Sequence, residues 1–277
     1  MNRIVTKKSI SEDLVQLEIK TNIAARAIQP GQYIQLRMEE NTPGISLPVL
    51  NSCSDRETVS VLVSVTNQAS RLLSRLIAGS HLLAVDGPFG HPAQIGNFGT
   101  VLCVAREQSI VAITTVIQSL RKAGNRVIAI LSAKTGEEIL LQDELSQMTD
   151  RLQVITDDGS LGTQATVCSM VGQMVRSQRF DQVFVTGPAK TIRETCSHAT
   201  KHNVPVQAVL HLQKVAQNGG HGFLKVSICG SERSVCVDGV NFNAYFPNFE
   251  EMMKRFGSDD SGIKSKCELQ GEPVLTS

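Results

Sequence analysis

The chain has 277 residues, of which 41% are hydrophobic and 19% are charged, and its formal net charge is +1. This balance is typical of a folded globular protein and excludes a disordered acidic or basic chain. Because the net charge is close to zero, there is no electrostatic reason to expect a nucleic-acid partner. The length is sufficient for two domains that each bury a core of their own.

Targeting signals and cysteine usage both indicate an internal, reducing compartment. The N-terminal residues carry charges where a secretory signal peptide needs an apolar core, and no apolar run reaches the roughly 20 residues of a membrane span. The seven cysteines are scattered and include no C-x-x-C pair. This argues against a disulfide framework or a complete zinc site. We therefore expect a cytoplasmic protein with reduced thiols.

The first predicted domain spans residues 1–96. Apolar and polar residues alternate in short runs, as in residues 59–65, and Gly, Pro and Asn separate the runs at turn-like intervals. This pattern is typical of a small antiparallel β barrel. One helix is predicted over residues 70–76, where leucines recur at helical spacing.

The second predicted domain spans residues 97–211. Nearly continuous apolar runs begin at Val101, Val127, Leu152 and Val183, and such runs indicate strands buried on both faces of a sheet. Helices are predicted between and after them over residues 108–122, 137–148, 163–178 and 189–202. This alternation predicts an α/β doubly wound parallel sheet with a nucleotide-type crevice at its carboxyl edge.

A small Gly-rich appendage is predicted over residues 212–256, with two short strands and a final helix over 249–256, followed by a mobile tail over 257–277. The appendage is too small to fold without a staple such as a metal cluster. Six of the eleven Phe and Tyr residues of the chain lie between 223 and 256. Because aromatic residues are typical interface anchors, we expect a hetero-oligomer; the alternative is that the segment folds back onto the second domain.

Four short segments resemble a known family: residues 30–33 (PGQY), 86–90 (DGPFG), 156–162 (TDDGSLG) and 236–239 (CVDG). They resemble the ferredoxin–NADP reductase superfamily, and in particular the small electron-transfer subunits of sulfide dehydrogenase (the bifurcating ferredoxin:NADP transhydrogenase) and of dihydroorotate dehydrogenase. The segments occur in the family's order and at its spacing. Taken singly, the first two are also explained by ordinary turn chemistry.

The resemblance implies a flavin-dependent reductase subunit that passes electrons between a nicotinamide or ferredoxin-type carrier and a larger flavoprotein, either glutamate-synthase-like or a dehydrogenase. It implies FAD at the seam between the two domains. The implied cofactor-binding residues are Tyr33, Ser46, Leu47, Pro48, Val49, Asn51, Ser70, Gly87, Pro88 and Gly90, together with Asp157, Asp158 and Gly159 near a nicotinamide nucleotide. For the last three, a helix cap is the alternative. No catalytic side chain is predicted, because the protein would supply binding and orientation.

The flavin signature departs from that of the family. Relatives carry an Arg followed closely by Pro and Ser or Thr, whereas residues 44–51 contain no Arg. Loss of this phosphate contact should weaken FAD binding unless Arg37, Arg71 or Arg75 substitutes. Ser70 keeps a hydroxyl at a predicted helix N-terminus, where backbone N–H groups favour phosphate.

The phosphate loop of the second domain departs further. Relatives carry a glycine-rich loop after the first strand, because only glycine lets the backbone approach a pyrophosphate. Residues 103–112 contain no glycine, and Glu107 places a carboxylate where phosphate would lie. We expect poor NAD(P)H binding. The alternative is that Arg106 supplies a phosphate contact and Lys134 a 2′-phosphate contact.

The cysteine cluster of the family is also altered. The positions that match the ligands of its [2Fe–2S] cluster are Ala216, His221, Leu224 and Cys236, and Ala and Leu have no donor atom. Cys229 is a possible stand-in, but three donors at this spacing fit no standard cluster. A [2Fe–2S] cluster is therefore not expected. Since three cofactor motifs are altered together, the alternative function is a non-catalytic scaffold that keeps the reductase fold.

One histidine pair has the spacing of a metal-binding helix face. His198 and His202 are four residues apart, but no third ligand is evident nearby. We interpret them as part of a solvent-facing helix, with no metal.

Overall fold

The computed structural model describes residues 2–21, 28–40, 44–65, 68–90 and 92–210, together with 225–228, 231–234 and 241–243. The predicted final helix over 249–256 and the tail over 257–277 lie outside the described residues.

The N-terminal half forms a six-stranded antiparallel sheet. Its strands are β1 (Arg3–Ser11), β2 (Leu14–Lys20), β3 (Tyr33–Arg37), β4 (Ile45–Cys53), β5 (Thr58–Ser64) and β6 (Ala84–Phe89), in the order β1-β2-β5-β4-β3-β6. Helix α1 (Gln68–Arg75) packs against β5. The sheet curls back on itself, since Arg3 bridges His81, just before β6, in antiparallel fashion. The predicted antiparallel barrel is confirmed.

Alternation along the strands forms the barrel core. On β5, Val59, Val61 and Val63 point inward and are fully buried. Leu62 points to the opposite face, because successive side chains of a strand alternate. That outer face is also covered, as Leu62 is only 5% exposed and packs against Val111 of the second half. The barrel therefore contacts the second half through an apolar outer surface.

The second half forms a mostly parallel sheet. Its strands are β7 (Thr100–Arg106), β8 (Arg126–Ala133), β9 (Arg151–Thr156), β10 (Thr163–Gln164), β11 (Gln182–Gly187) and β12 (Val206–Leu210). Its helices are α2 (Ile110–Lys122), α3 (Gln142–Met148), α4 (Val167–Ser177) and α5 (Ala189–Lys201). The strand order is β10-β9-β8-β7-β11-β12, so the connections reverse direction between β7 and β11. This is the predicted doubly wound α/β fold, and its switch point lies between those two strands.

Both faces of this sheet are buried. Val101, Cys103 and Ala105 of β7 pack with α2 and α3 on one face, while Leu102 and Val104 pack with α4 and α5 on the other. Because both faces are covered, the strands read as continuous apolar runs rather than as alternating ones.

Two helices begin at least four residues later than predicted. Helix α3 begins at Gln142 rather than at 137, because residues 136–138 form a separate 3₁₀ turn. Helix α4 begins at Val167 rather than at 163, because Thr163 and Gln164 pair with the end of β9 as β10. Within the described ranges, the chain has no helix long and apolar enough to cross a membrane.

Three short strands of the C-terminal region are described. β13 (Lys225–Ile228) and β14 (Ser231–Ser234) form an antiparallel pair, and β15 (Asn241–Asn243) pairs antiparallel with β12 at the edge of the large sheet. Through β15, the appendage folds back onto the second half, as the alternative interpretation proposed, whereas β13 and β14 form a separate pair.

Candidate functional site

Helix α2 joins the two halves of the molecule. Near its start, Val111 packs against Leu14 and Leu62 of the barrel. The Gln108 side chain, just before the helix, donates a hydrogen bond of 2.8 Å to Ser64 Oγ. The edge of the parallel sheet where α2 begins is therefore held against the barrel.

Two of the family-like segments meet at this seam. The side-chain amide of Gln32 donates to the Gly90 carbonyl at 2.7 Å, and the Ala93 N–H donates to the Pro30 carbonyl at 2.8 Å. The Gly31 N–H also lies 3.4 Å from Thr115 Oγ1 on α2. The turn at residues 30–32 thus ties the end of the barrel to the start of the second half.

An aromatic pair lies beside this turn. Tyr33 pairs with Pro48 of β4 on one side and with Phe89 of β6 on the other, and the ring centroids of Tyr33 and Phe89 are 5.7 Å apart. Gly87 has φ 137°, and a Cβ there would lie 3.3 Å from the Tyr33 carbonyl oxygen. The structure therefore brings together Tyr33, Pro48 and residues 87–90 at the end of β6. Phe89 was not singled out from the sequence, although it is the aromatic residue of the 86–90 segment.

The candidate residues on β4 are not equivalent. The side chains of Leu47 and Val49 lie in the barrel core, 4% and 2% exposed, so only their backbone groups can face a ligand. Ser46 and Pro48 alternate with them and occupy the other face of the strand. Asn51 is exposed, and its side-chain oxygen accepts a hydrogen bond of 2.9 Å from the Ser52 N–H.

The three arginines expected to replace the lost flavin arginine differ in their surroundings. Arg37 donates to Asp86 Oδ2 at 3.1 Å, so its guanidinium is partly occupied. Arg71 and Arg75 are exposed on α1 and form no ion pair with any residue in the described ranges. Ser70 lies on the same helix and is 4% exposed. The candidate phosphate contacts are therefore on α1.

The Arg106 side chain lies across the crevice at the carboxyl edge of the parallel sheet. Its guanidinium donates two hydrogen bonds to the Asp157 carboxylate, at 2.6 and 3.2 Å, and a third to Ser132 Oγ at 2.8 Å. Since these residues end or follow β7, β8 and β9, one side chain connects three neighbouring strand ends. The Arg106 side chain is only 14% exposed.

Acidic groups surround this guanidinium. Glu107 Oε1 lies 3.3 Å from Arg106 Nε, and Glu107 has φ 55°, a backbone conformation that favours glycine. Burial disfavours the charge on Arg106, but the hydrogen bond and charge of Asp157, with Glu107 and Glu138, raise its pKa overall. The group that the alternative interpretation assigned to phosphate is therefore already bound to protein carboxylates.

The loop after β9 is organised by its own side chains. Asp158 Oδ1 accepts hydrogen bonds from the Ser160 N–H at 3.0 Å and from its hydroxyl at 2.7 Å, and these bonds lower the pKa of Asp158. Ser160 Oγ in turn accepts from the Gly136 N–H at 2.8 Å. The helix-cap alternative is wrong for this loop, because Thr166 caps α4 by accepting from the Ser169 N–H at 3.2 Å.

Sequence reasoning missed the turn that faces Arg106 across the switch point. Gly187 ends β11 and Pro188 precedes α5, and a Cβ on Gly187 would lie 3.4 Å from Arg106 Cβ. A Gly-Pro pair between a buried strand and a helix is a signal that could have identified this turn.

The interpretation of His198 as solvent-facing is wrong. Its Nε2 lies 3.3 Å from Cys168 Sγ on α4, and a Cβ on Gly172 would lie 2.8 Å from its ring. His198 therefore packs between α4 and α5, whereas His202 is exposed. Desolvation, together with the charges of Lys201, Arg176 and His202, lowers the pKa of His198.

The positions matched to iron–sulfur ligands lie outside the described residues. These are Ala216, His221, Leu224 and Cys236, with Cys229 as the stand-in. In the part of the chain that the structure describes, no group of three or more His, Cys, Asp or Glu side chains could hold a metal ion.

The fold defines the class of protein. A ferredoxin NADP⁺ reductase from Neisseria gonorrhoeae, solved with bound FAD and NADP, matches 76% of this chain and 98% of its own, with a TM-score of 0.59 and 13% identity. An antiparallel barrel followed by a parallel α/β sheet is thus the fold of ferredoxin–NADP reductase-like enzymes. No protein-family model matches the chain.

Two other proteins are more similar to this chain than that reductase is, and they narrow the class. The electron transfer subunit homolog of dihydroorotate dehydrogenase B (NAD⁺) from Thermotoga maritima is 29% identical over 255 residues, covering 92% of this chain and 90% of that protein. The solved structure of the NADH-dependent reduced ferredoxin-NADP oxidoreductase, described for flavin-based electron bifurcation, has a TM-score of 0.82 at 28% identity and covers 92% of both chains. The predicted resemblance to electron-transfer subunits is confirmed: the chain is a homologue of such subunits.

Proposed function

We propose that the chain is a flavin-dependent electron-transfer subunit that works with a larger flavoprotein. The observation that carries the proposal is the similarity to a named electron transfer subunit homolog along 92% of the chain and 90% of that relative. A match of this extent covers the barrel, the seam and the parallel sheet together. The seam between the two sheets also resembles the place where this fold seats its flavin.

FAD is the cofactor that the seam fits best. Tyr33 and Phe89 offer aromatic surface for a flavin ring, and Gly87 lets the backbone at the end of β6 lie close to Tyr33. The proposed FAD-binding residues are Tyr33, Ser46, Leu47, Pro48, Val49, Asn51, Ser70, Gly87, Pro88 and Gly90. Leu47 and Val49 would act through their backbone groups only. Arg71 or Arg75 would contact phosphate in place of the missing arginine.

The chemistry would belong to the flavin, which accepts and donates electrons one or two at a time. The protein's residues would bind the ring, orient it toward the partner and limit its contact with water. Residues 157–159 lie by the other crevice, but their polar groups are bound within the protein. NAD(P) is therefore doubtful as a cofactor of this chain, although its relatives' names include NAD⁺ and NADP.

The partner is proposed to be a glutamate-synthase-like or dehydrogenase flavoprotein. We propose domains at 1–96 and 97–211, with the appendage at 212–256 contributing to the interface and a tail at 257–277. From the sequence alone, we propose that the appendage holds no [2Fe–2S] cluster.

A cytoplasmic location is also proposed. The four cysteines in the described ranges are free thiols. Reduced thiols are typical of a reducing compartment.

A non-catalytic scaffold is the second candidate. The observation that favours it is the set of internal bonds that occupies Arg106, the residue replacing a phosphate-loop glycine. A scaffold would retain the fold and the partner interface but bind no flavin.

Electron transfer can be tested directly. The full chain, loaded with FAD and reduced photochemically without oxygen, is mixed with the oxidised flavoprotein that co-purifies with it. We expect the FAD to be reoxidised while the partner's flavin is reduced to the same extent. Reduced FAD that passes no electrons to that partner would contradict the proposal, whereas a chain that takes up no FAD would support the scaffold.

A further inference from the structure

The carboxyl edge of the parallel sheet carries an internal ion pair where this fold usually leaves room for a ligand. In open α/β sheets, ligands bind outside the carboxyl ends of the strands at the switch point, and the pyrophosphate of a dinucleotide lies at the turn after the first strand. Here that turn begins with Arg106, and its guanidinium is bound to Asp157 and Ser132 at 2.6 to 3.2 Å.

We propose that Arg106 and Asp157 form a latch that closes this crevice and excludes the phosphates of a nicotinamide dinucleotide. The latch makes Arg106 a specificity-determining residue of the subunit. The inference rests on the proposed electron-transfer function. With the crevice closed, the flavin of this chain would exchange electrons with the protein partner and not with a nicotinamide bound to this chain.

The geometry supports occlusion by the side chain itself. The guanidinium extends from the end of β7 across the end of β8 to the loop after β9, and the side chain is 14% exposed. On its other side, the Arg106 Cβ lies 3.4 Å from the position of a Cβ on Gly187. The side chain therefore crosses the carboxyl ends of β7 and β8, from the switch point between β7 and β11 to the loop after β9.

The charges at this edge oppose a phosphate ligand. A phosphate needs a donor with unused hydrogen-bonding capacity, and a bidentate arginine–carboxylate pair uses much of it. Glu107 lies 3.3 Å from the same guanidinium, and Glu138 is close enough to raise its pKa. The carboxylates of Asp157 and Glu107 thus pair with this one cation, and an incoming phosphate would be repelled by both of them.

Two sets of variants test the latch. Arg106→Gly combined with Glu107→Gly removes the guanidinium and one carboxylate, and restores glycine where the backbone already has φ 55°. Asp157→Asn removes the charge that holds Arg106 while keeping a similar side-chain shape. The matched control is Arg121→Ala, which breaks the Arg121–Asp150 pair, also 2.6 Å long, between the end of α2 and the start of β9, away from the crevice.

The measurement is a calorimetric titration of each full-length protein with NADH and with NADPH. We expect the wild type and Arg121→Ala to bind both with dissociation constants weaker than about 1 mM, and the double variant to bind at least one of them about tenfold more tightly or better. Asp157→Asn should give a smaller gain in the same direction.

Two results would overturn the latch. One is low-micromolar binding by the wild type, and the other is a folded double variant, judged by its thermal midpoint, with no gain in affinity. If the double variant does not fold, Asp157→Asn decides the test. Unchanged nucleotide affinity in Asp157→Asn would then overturn the latch. FAD content is measured on the same samples. Absence of FAD would count against the proposed function, whereas the comparison of nucleotide affinities between the variants would still test the latch.

Discussion

The rings of Tyr33 and Phe89 lie with their centroids 5.7 Å apart on neighbouring strands of the barrel. Each ring lies within a segment that resembles the same family, and the Gln32 side chain hydrogen-bonds to the turn that follows Phe89. This pair is the part of the seam that we expect to contact a flavin ring.

Phe89→Leu should reduce FAD affinity. Loss of the ring pair removes aromatic contacts worth about 0.5–1.5 kcal/mol, which corresponds to about a two- to tenfold weaker dissociation constant. FAD binding is measured by fluorescence quenching on the stripped protein. The matched control is Phe98→Leu, because Phe98 forms a similar pair with Phe184, 6.1 Å between centroids, in the other half of the molecule. An equal loss of FAD affinity in both variants would mean that Phe89 acts through stability alone.

Stability should fall at mildly acidic pH because of His198. Its pKa is lowered from the ordinary value of 6.5 in the folded protein, so the unfolded chain takes up the proton more readily. The neutral form stabilises the fold fully above about pH 6.5, and this contribution is lost as the pH falls through the lowered value in the folded state. We expect His198→Gln to make the decline of the thermal midpoint between pH 7.5 and 5 less steep than in the wild type.

His202→Gln is the control for this prediction, because His202 is exposed directly after the end of the same helix. Because the charge of His202 contributes to the lowered pKa of His198, His202→Gln should change the slope less than His198→Gln does. His198→Gln will also lower the midpoint at every pH through lost packing against Gly172, so the slope is the informative quantity. A slope that does not change on removal of His198 would exclude it as the titrating group.

Gly162→Ala should destabilise the loop after β9 more than an ordinary glycine substitution does. Gly162 has φ 68°, and a Cβ there would collide with the Val154 carbonyl oxygen. We expect a loss of at least about 3 kcal/mol in the free energy of unfolding, measured by urea denaturation. Gly79→Ala separates the effect of the positive φ from that of the collision. Gly79 has φ 95°, but a Cβ added there would meet no atom within 4 Å. That variant should lose about 1–2 kcal/mol; equal losses would show that the collision is relieved at little cost.

The appendage is predicted to bind no iron–sulfur cluster. The prediction depends on Ala216 and Leu224 at positions matched to ligands, since neither side chain can bind iron. Iron and acid-labile sulfide are assayed on protein purified without oxygen, and we expect neither above background. Two irons per chain that disappear in Cys236→Ala would show that the prediction is wrong.

The order of strands and helices could be predicted because burial determines the sequence pattern. β7 is apolar along its length since helices cover both of its faces, and β5 keeps Val59, Val61 and Val63 on its core face. The start of α4 could not be predicted in this way. Thr163 and Gln164 are compatible with a helix, but pairing with β9 places them in a strand.

Contacts between residues that are distant in sequence account for the other differences between the predictions and the structure. The spacing of His198 and His202 cannot show that one of them faces α4, because that depends on how two helices pack. The sequence offers Arg106 as a phosphate ligand, yet its hydrogen bonds go to residues 26 and 51 positions later in the chain. The sequence showed that the glycines were missing but not what occupies their place.

The flavin content of the purified protein tests the central proposal most directly. The full-length chain is purified both alone and with its co-purifying flavoprotein partner, and FAD is quantified from its absorbance at about 450 nm and by extraction. The proposal predicts about one FAD per copy of this chain beyond the flavin that the partner binds by itself. A complex whose flavin is fully accounted for by the partner, with a colourless isolated chain that does not take up added FAD, would contradict it and identify the chain as a scaffold.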